Sequence, residues 1–433
     1  MNAGPARPAA RPARPQLIRA MNERLLLDQI RRLGSASRAD LARLSGLSKP
    51  TVSLALASVE RSGLVRTAGQ RTGGPGRSAV LYEIAPDAGY VLGLDIGREY
   101  LRGAVADLTG EIRARGEARC TAAGASRRVG AVIGLADRIC ARAGLDRAAV
   151  TQVVLGCPGV YDPRRDALAL TGGLPGWDSP EVLADLRAAF GAELVVENDI
   201  DAAALAEREH GHGAQVPSFA FVSIGTGIGM GLVLQGQLHR GAHGVAGEIA
   251  FLPIGDGPGG APGAAAGPEA RRRGTLEAAG SAAAIVRAAR HAGLRASSAR
   301  DVFAAAAAGD TRAAAIVAAE ARLVAKAICA VVAVVDPGLI VLGGGIGQAP
   351  GFADAVTEQL RGMSPALPRI LVSALGTSAV VDGCLASGAE LAWQRLTARG
   401  GRGGAAGADA AGGLPSSSPA GPAAAAPAAP GPR

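Results

Sequence analysis

Three groups of residues between Leu194 and Pro253 carry most of the chemistry this chain offers. Glu197-Asn198-Asp199 closes the apolar run Leu194-Val195-Val196, which sets two carboxylates and an amide at a strand end. Each hydroxyl of a sugar-like ring wants one acceptor and one donor, and carboxylates beside an amide supply both. Gly225-Thr226-Gly227-Ile228-Gly229-Met230-Gly231 follows the strand-like run Phe219–Ile224. Such a turn exposes successive backbone N–H groups and suits a phosphate, with Gly225, Thr226, Gly227 and Gly229 as the candidate phosphate-loop positions. Glu248 stands alone among Gly, Ala and His residues. Hydroxyl grip and phosphate cradle together point to a sugar kinase or a descendant of one.

The elements that hold these residues must come from a chain of 433 residues, 48% hydrophobic, enough for two or three domains with cores. Aromatics make up only 3%, so those cores are expected to be built from small aliphatics. Charge is placed unevenly. Residues 1–86 hold fourteen Lys/Arg against five Asp/Glu, a surplus of nine in a chain whose net charge is +8. A basic head on a neutral body points to nucleic acid at the head only; the alternative is a basic solubilising arm. The five cysteines are scattered with no C-x-x-C pair. That speaks against a zinc ribbon or a disulfide framework and fits a reducing compartment. No apolar signal region opens the sequence, and its longest apolar stretch, 325–347, is broken by Lys326, Asp336 and Pro337. A cytoplasmic protein with no membrane partner is the expectation.

Residues 1–15 alternate Ala, Pro and Arg and read as a disordered basic arm. Residues 16–85 read as a winged helix-turn-helix. A first helix from Gln16 carries Leu17, Met21, Leu25 and Ile30 on roughly one face. Ser37 caps a short helix that stops at Gly46, and Ser48 caps the next, with Pro50 in its first turn. In that second helix Val52, Leu56 and Val59 share the core face, while Pro50, Ser53, Leu54, Ala57 and Arg61 point away. Leu54 there suits a thymine methyl group. A strand, a Gly/Pro/Arg tip and a second strand follow, and place Arg66, Arg71 and Arg77 for phosphate or minor groove. Ser48, Lys49, Pro50, Thr51, Ser53, Leu54, Arg71 and Arg77 are the candidate DNA-binding residues.

Residues 90–399 read as two similar α/β lobes. Tyr90–Gly97 is a buried strand ending in Asp-x-Gly, and its strand–turn–strand continuation recurs about 130 residues later at Phe219. An internal duplication with a cleft between lobes follows. Helices are expected over 128–143, 181–190, 276–292, 313–334 and 383–395, with Asp256–Gly267 as a loop and Gly343–Gly347 as a second glycine-rich strand end. Residues 400–433 are Ala/Gly/Pro/Ser and read as a disordered tail.

These motifs, in this order, resemble the ROK family (repressors, open reading frames and sugar kinases), specifically its winged-helix regulators of sugar metabolism, over about residues 17–400. The resemblance implies an actin-like, ribonuclease-H-like two-lobed fold. It implies that Asn198, Asp199, Glu248 and Glu277 bind sugar, and that Asp199 is the general base if any kinase activity remains. It also implies a phosphate loop at Gly225–Gly231 and a nucleotide-side motif at Leu342–Ile346. The departures matter as much. Family kinases carry Asp-x-Gly-Gly-Thr at the first loop, where this chain has Asp95-Ile96-Gly97-Arg98-Glu99, and a carboxylate there repels a triphosphate. The family's signature histidine is Phe251 here, the Asn before Leu-Pro-x-Trp is Gly173, and the zinc-binding cysteines are missing. Neither zinc nor ATP is therefore expected as a cofactor. The reading is a sugar-responsive DNA-binding regulator, a repressor by preference, forming a homodimer or homotetramer. Its partners are a double-stranded DNA operator and a sugar or sugar-phosphate effector. The alternative is an ATP-dependent sugar kinase with an attached DNA-binding head.

Overall fold

The computed structural model describes residues 15–71, 79–120, 124–162, 164–171, 174–191, 193–254 and 268–400. The expected basic arm up to residue 14, the Asp256–Gly267 loop and the tail beyond residue 400 lie outside these residues.

The chain opens with α1 (Pro15–Leu33), β1 (Ser35–Ser37), α2 (Arg38–Ser45) and α3 (Lys49–Arg61). β2 (Val65–Arg71) and β3 (Ala79–Ile84) then pair antiparallel, with β1 on the far side of β3. Local chemistry sets these boundaries. Ser37 and Asp40 form a reciprocal capping box, Gly46 ends α2 in the left-handed region, and Ser48 caps α3 with Pro50 in its first turn. Val52, Leu56 and Val59 are buried and Leu54 is 74% exposed, as the spacing predicts. The first helix departs from expectation. It begins at Pro15, one residue inside the expected arm, and its buried stripe is Leu26, Leu27 and Ile30, while Leu17, Met21 and Leu25 face outward. α1 has two apolar stripes, and the second is covered by α3 and its neighbours in the head together with the last helix of the chain's body.

The first lobe comprises β4 (Tyr90–Ile96), β5 (Tyr100–Asp107), β6 (Ile112–Arg119), α4 (Ala125–Arg142), β7 (Val150–Cys157), the small pair β8 (Val160–Asp162) and β9 (Ala167–Ala169), α5 (Pro180–Phe190), β10 (Val195–Asn198) and α6 (Asp199–His210). Its sheet runs β10-β7-β4-β5-β6, with the β4–β7–β10 side parallel and the β4–β5–β6 side antiparallel. The second lobe repeats this plan with β11 (Phe219–Ile224), β12 (Ile228–Leu234) and β13 (Gln237–Leu238). Next come the helices α7 (Pro268–Arg273), α8 (Thr275–Gly280), α9 (Ala282–His291), α10 (Ala299–Ala307) and α11 (Thr311–Val335). The lobe closes with β14 (Leu339–Gly343), α12 (Gly344–Gly347), α13 (Phe352–Arg361) and β15 (Arg369–Val372). Its sheet runs β13-β12-β11-β14-β15 in the same parallel and antiparallel sense. Two sheets of one topology, each starting from an apolar strand with a glycine-rich end, account for the repeat in the sequence. The expected helix over 276–292 is instead two, because Ser281 caps α9 in extended conformation. The buried stripe of α11 is Val324, Ile328, Val331 and Val332, with Ile316 and Leu323 only half-buried.

The last helix, α14 (Ala379–Gly400), returns from the second lobe to the first. It crosses α6 so closely that a Cβ at Gly383 would lie 1.7 Å from the Ala202 carbonyl oxygen. Farther along, Leu385, Ala392 and Trp393 join Val91, Ala104 and Ala106 of the first lobe in one core with Leu26, Leu27 and Ile30 of α1. The Trp393 indole N–H donates to the Asp28 carboxylate at 2.9 Å, and Arg31 pairs with Glu390 at 3.0 Å. Head and body are thus packed as one. Gly383→Ala is expected to cost about 3 kcal/mol, read as a lowered urea midpoint, because backbone rather than a flexible side chain must yield. Gly130→Ala on α4, where a Cβ meets nothing within 4 Å, is the matched control and is expected to leave stability unchanged or raise it by up to ~1 kcal/mol.

Candidate functional site

The junction of β10 and α6 places the first expected group. Asn198, rather than Asp199, is the helix cap: its side-chain oxygen accepts from the Ile200 and Asp201 amides at 2.9 and 3.0 Å. Its amide nitrogen donates to the Gly159 carbonyl at 3.0 Å. Asp199 is left with one local bond, from its own neighbour Ile200 at 3.0 Å. Burial raises the Asp199 carboxyl to about 6, with backbone N–H groups restraining the rise.

Two further carboxylates face it. Glu248, from the second lobe, is pushed up to about 7 by burial and then by the charges of Asp199 and Glu277. Asp95, at the end of β4, is also raised to about 7 by burial and by Asp199, against the pull of Arg102 at 3.6 Å. Asp199, Glu248 and Glu277 therefore come together as expected. Asp95 joins them without having been singled out as a ligand, although its Asp-x-Gly setting marked the strand end.

Glu277 does something the sequence did not suggest. Its carboxylate accepts the Ile228 N–H at 3.0 Å and pairs with Arg273 at 2.7 Å. It sits 2.7 Å from where a Gly227 Cβ would be. Within the glycine-rich turn Gly225 donates to the Gly227 carbonyl at 2.9 Å, and Arg273 reaches the Thr226 carbonyl. Two amides of the candidate phosphate loop are thus spent inside the protein, one on a carboxylate. Gly229 backs onto Ile200 of α6. Gly344, at φ +74°, is forced by its approach to the Ile224 carbonyl, which gives Gly343–Gly347 a packing role. At the first loop the buried Arg128 guanidinium donates to the Gly97 and Arg98 carbonyls at 2.8 and 3.1 Å, and the Arg98 and Glu99 side chains are exposed.

Beside the cluster opens a cavity of about 670 Å³, lined among others by Asn198, Glu197, Asp201, Arg240 and the segment around Tyr161. Of the four expected sugar ligands, Asn198 is the one on its wall. Glu197, from the first lobe, accepts from the Nε and Nη2 of Arg240 from the second, a charge-assisted fork across the cleft. Phe251 is 41% exposed where the family has histidine. The chain contains no cysteine between Cys157 and Cys329, so its residues do not fit the family's zinc. Gly173 lies outside the described residues.

At the head, Lys49, Pro50, Ser53 and Leu54 are exposed along one side of α3, while Ser48 and Thr51 are tied to each other at 2.9 Å. Arg66 pairs with Glu83 at 2.7 Å and Arg71 with Asp40 at 2.7 Å, both arginines remaining more than half exposed. Arg77 lies outside the described residues.

Two five-stranded sheets of common topology, meeting at a carboxylate cluster beyond the ends of their first strands, define an actin-like protein. The chain belongs to the ROK family, whose model matches residues 91–388. A ROK hexokinase from Thermus thermophilus is 31% identical, with a TM-score of 0.58 over 69% of this chain and 97% of that one. A ROK family transcriptional regulator, described as a homolog of the E. coli MLC protein, matches 89% of this chain and 99% of its own at TM-score 0.69 and 23% identity. Among curated proteins, the bifunctional enzyme NanE/NanK of Brucella suis is 38% identical over 234 residues, 51% of this chain and 42% of that protein. The xylose repressor of Bacillus spizizenii is 25% identical over 237 residues, 55% of this chain and 61% of its own length. The chain thus spans about half the length of the curated relatives it matches.

Asp95, Asp199 and Glu248 all titrate higher in the folded chain than in the unfolded one, so the folded state holds extra protons between roughly pH 4 and 7. Their contribution to stability is complete below the unfolded values and is lost as pH rises through about 6 to 7. Glu248→Gln, which cannot ionise, is therefore expected to gain on the order of 1 kcal/mol over the parent at pH 8 and nothing at pH 4. Parallel melting curves for the two proteins across that range would show that ionisation of the cluster is free of cost.

Proposed function

We propose that this chain is a sugar-responsive, DNA-binding transcriptional regulator, a repressor, whose winged helix-turn-helix head reads an operator and whose kinase-like body senses a sugar. The observation that carries the reading is the single core running from α1 through Trp393 to the helix that crosses α6. It ties the reader to the very helix that begins at Asn198 and Asp199. A sugar bound there, at Asn198, Asp199, Glu248 and Glu277, draws the lobes together around α6, and α14 hands the displacement to the head. Two copies of the chain related by a two-fold axis set their α3 helices in successive major grooves of an inverted repeat. The names of its relatives, a xylose repressor and a ROK transcriptional regulator, agree with that role.

The phosphate-facing turns support regulation over phosphoryl transfer. Glu277 occupies the Ile228 amide, and Arg98-Glu99 stands where a triphosphate needs close, uncharged backbone. A sugar kinase with a DNA-binding head is the second reading, favoured by the likeness to a ROK hexokinase. A coupled assay for ADP release over a hexose panel separates them: no turnover is expected, and turnover abolished by Asp199→Asn would establish the kinase.

Binding to DNA from the chain's own promoter region is expected to weaken by about three orders of magnitude between roughly 50 and 200 mM salt, as several phosphate contacts require. A flat salt response in a gel-shift titration would remove the head as reader. The double variant Asp28→Ala/Glu390→Ala cuts the polar ties between α1 and α14. It is expected to bind sugar and operator like the parent while the effect of one on the other shrinks by about 1 kcal/mol. Undiminished coupling would place the transmission elsewhere.

A further inference from the structure

Between β13 and Glu248 the chain makes a loop, residues 239–247, that belongs to the second lobe at its base and leans on the first lobe at its crown. The base is pinned twice to β12. The His239 N–H donates to the Leu232 carbonyl at 2.7 Å, and the Met230 N–H donates to the Gly247 carbonyl at 3.1 Å. Gly247, at φ +93°, permits that approach, since a Cβ there would lie 2.0 Å from the Met230 carbonyl oxygen. The neck is closed by the Ala246 N–H, which donates to the Arg240 carbonyl at 3.1 Å. Glu248 follows directly, so its place is set by where the loop comes to rest.

The crown, residues 241–243, is exposed and reaches over the 670 Å³ cavity toward β8 and β10. Gly244 touches β8, where a Cβ would lie 2.9 Å from Val160 Cγ1. Farther in, Arg240 donates from Nε, at 3.2 Å, and from Nη2 to the two carboxylate oxygens of Glu197. Glu197 is 8% exposed, and a carboxylate so placed without its cation is left desolvated and unpaired. It stands two residues before Asp199, at the end of β10. The loop's own fold is closed within the second lobe by its base and neck. What the fork fixes is one lobe against the other, at the point where Glu248 and Asp199 face each other.

We propose that Arg240 is a positioning residue of the effector site: through Glu197 it clamps the 239–247 loop to the end of β10 and holds Glu248 opposite Asp199 before a ligand arrives. The proposal rests on the reading of this cleft as a sugar sensor and names what sets its spacing. A sugar that bridges the two lobes then meets carboxylates already in register and loses less freedom in ordering them. Arg240 acts through the loop, not on the sugar.

The test is a double-mutant cycle read by calorimetric titration of the full chain with xylose, glucose and N-acetylmannosamine. Arg240→Met and Glu197→Gln are each expected to weaken the tightest of these sugars about tenfold, and the double variant no further, because one tie is broken once. Arg240→Lys, which keeps the charge and loses the fork, is expected to recover part of the loss. Glu248→Gln is expected to cost less affinity in the Arg240→Met chain than in the parent, a difference that a fork serving stability alone does not produce. In the free proteins, amides of residues 240–248 are expected to exchange about tenfold faster in Arg240→Met, while those of β12 keep the parent's rate. Losses that add in the double variant make the two residues separate sugar contacts and overturn the proposal, leaving the sensor standing. Unchanged affinity in the variants does the same, as does unchanged exchange in the loop, which is readable even where a variant binds nothing. Failure of every sugar on the parent chain overturns the sensor reading, and the effector role of Arg240 with it.

Discussion

The crossing of α6 and α14 is the contact on which the rest of the molecule depends. At Gly383 the two helices approach until only hydrogen separates one backbone from the Ala202 carbonyl. Ala202, Ala203, Ala204 and Ala206 make α6 nearly free of side chains on its inner faces, and all are buried. Small residues allow backbones to touch, and backbones that touch cannot slide by fractions of an ångström as longer side chains do. The start of α6 is consequently held in place from behind, and Asn198, Asp199 and Asp201 are presented with little freedom. A chain with aromatics at 3% could not have fixed these residues by bulk. It does so by closeness.

Within the cleft, desolvation and like charge set the chemistry. Four carboxylates, Asp95, Asp199, Asp201 and Glu248, are all driven toward their neutral forms, and burial leads the causes in each. Charges that remain are committed: Glu197 to Arg240, Glu277 to Arg273 and the Ile228 amide. In the turn Gly225–Gly231 the Ile228 amide is taken by Glu277, and Arg273 reaches the Thr226 carbonyl.

Much of the architecture was legible because its signals are local. Ser37 with Gly46, Ser48 with Pro50, and the strand ends at Asp95-x-Gly97 and Gly225–Gly231 each declare themselves within a few residues. Asn198, Asp199 and Glu248 were likewise visible, as residue types at strand and loop ends. What escaped notice is non-local. Arg240 meets Glu197 from 43 residues away, and Arg128 meets Gly97 from 31. Glu277 is seen in the sequence as a carboxylate, but the amide it occupies lies 49 residues earlier. The face of α1 read from the sequence, Leu17, Met21, Leu25 and Ile30, is buried only at Ile30, because Leu26 and Leu27 face the core that α1 shares with α3 and α14.

The core shared by α1 and α14 has a practical side. Leu26, Leu27 and Ile30 lose part of their cover if the chain is cut near Ala85, because Val91, Ala106, Leu385 and Trp393 belong to the same cluster. Recombining this head with another body is therefore a graft of three pieces. The head, the opening strands of the first lobe and α14 must travel as a set, and a chimera joined only between residues 85 and 89 would carry a wound on each half.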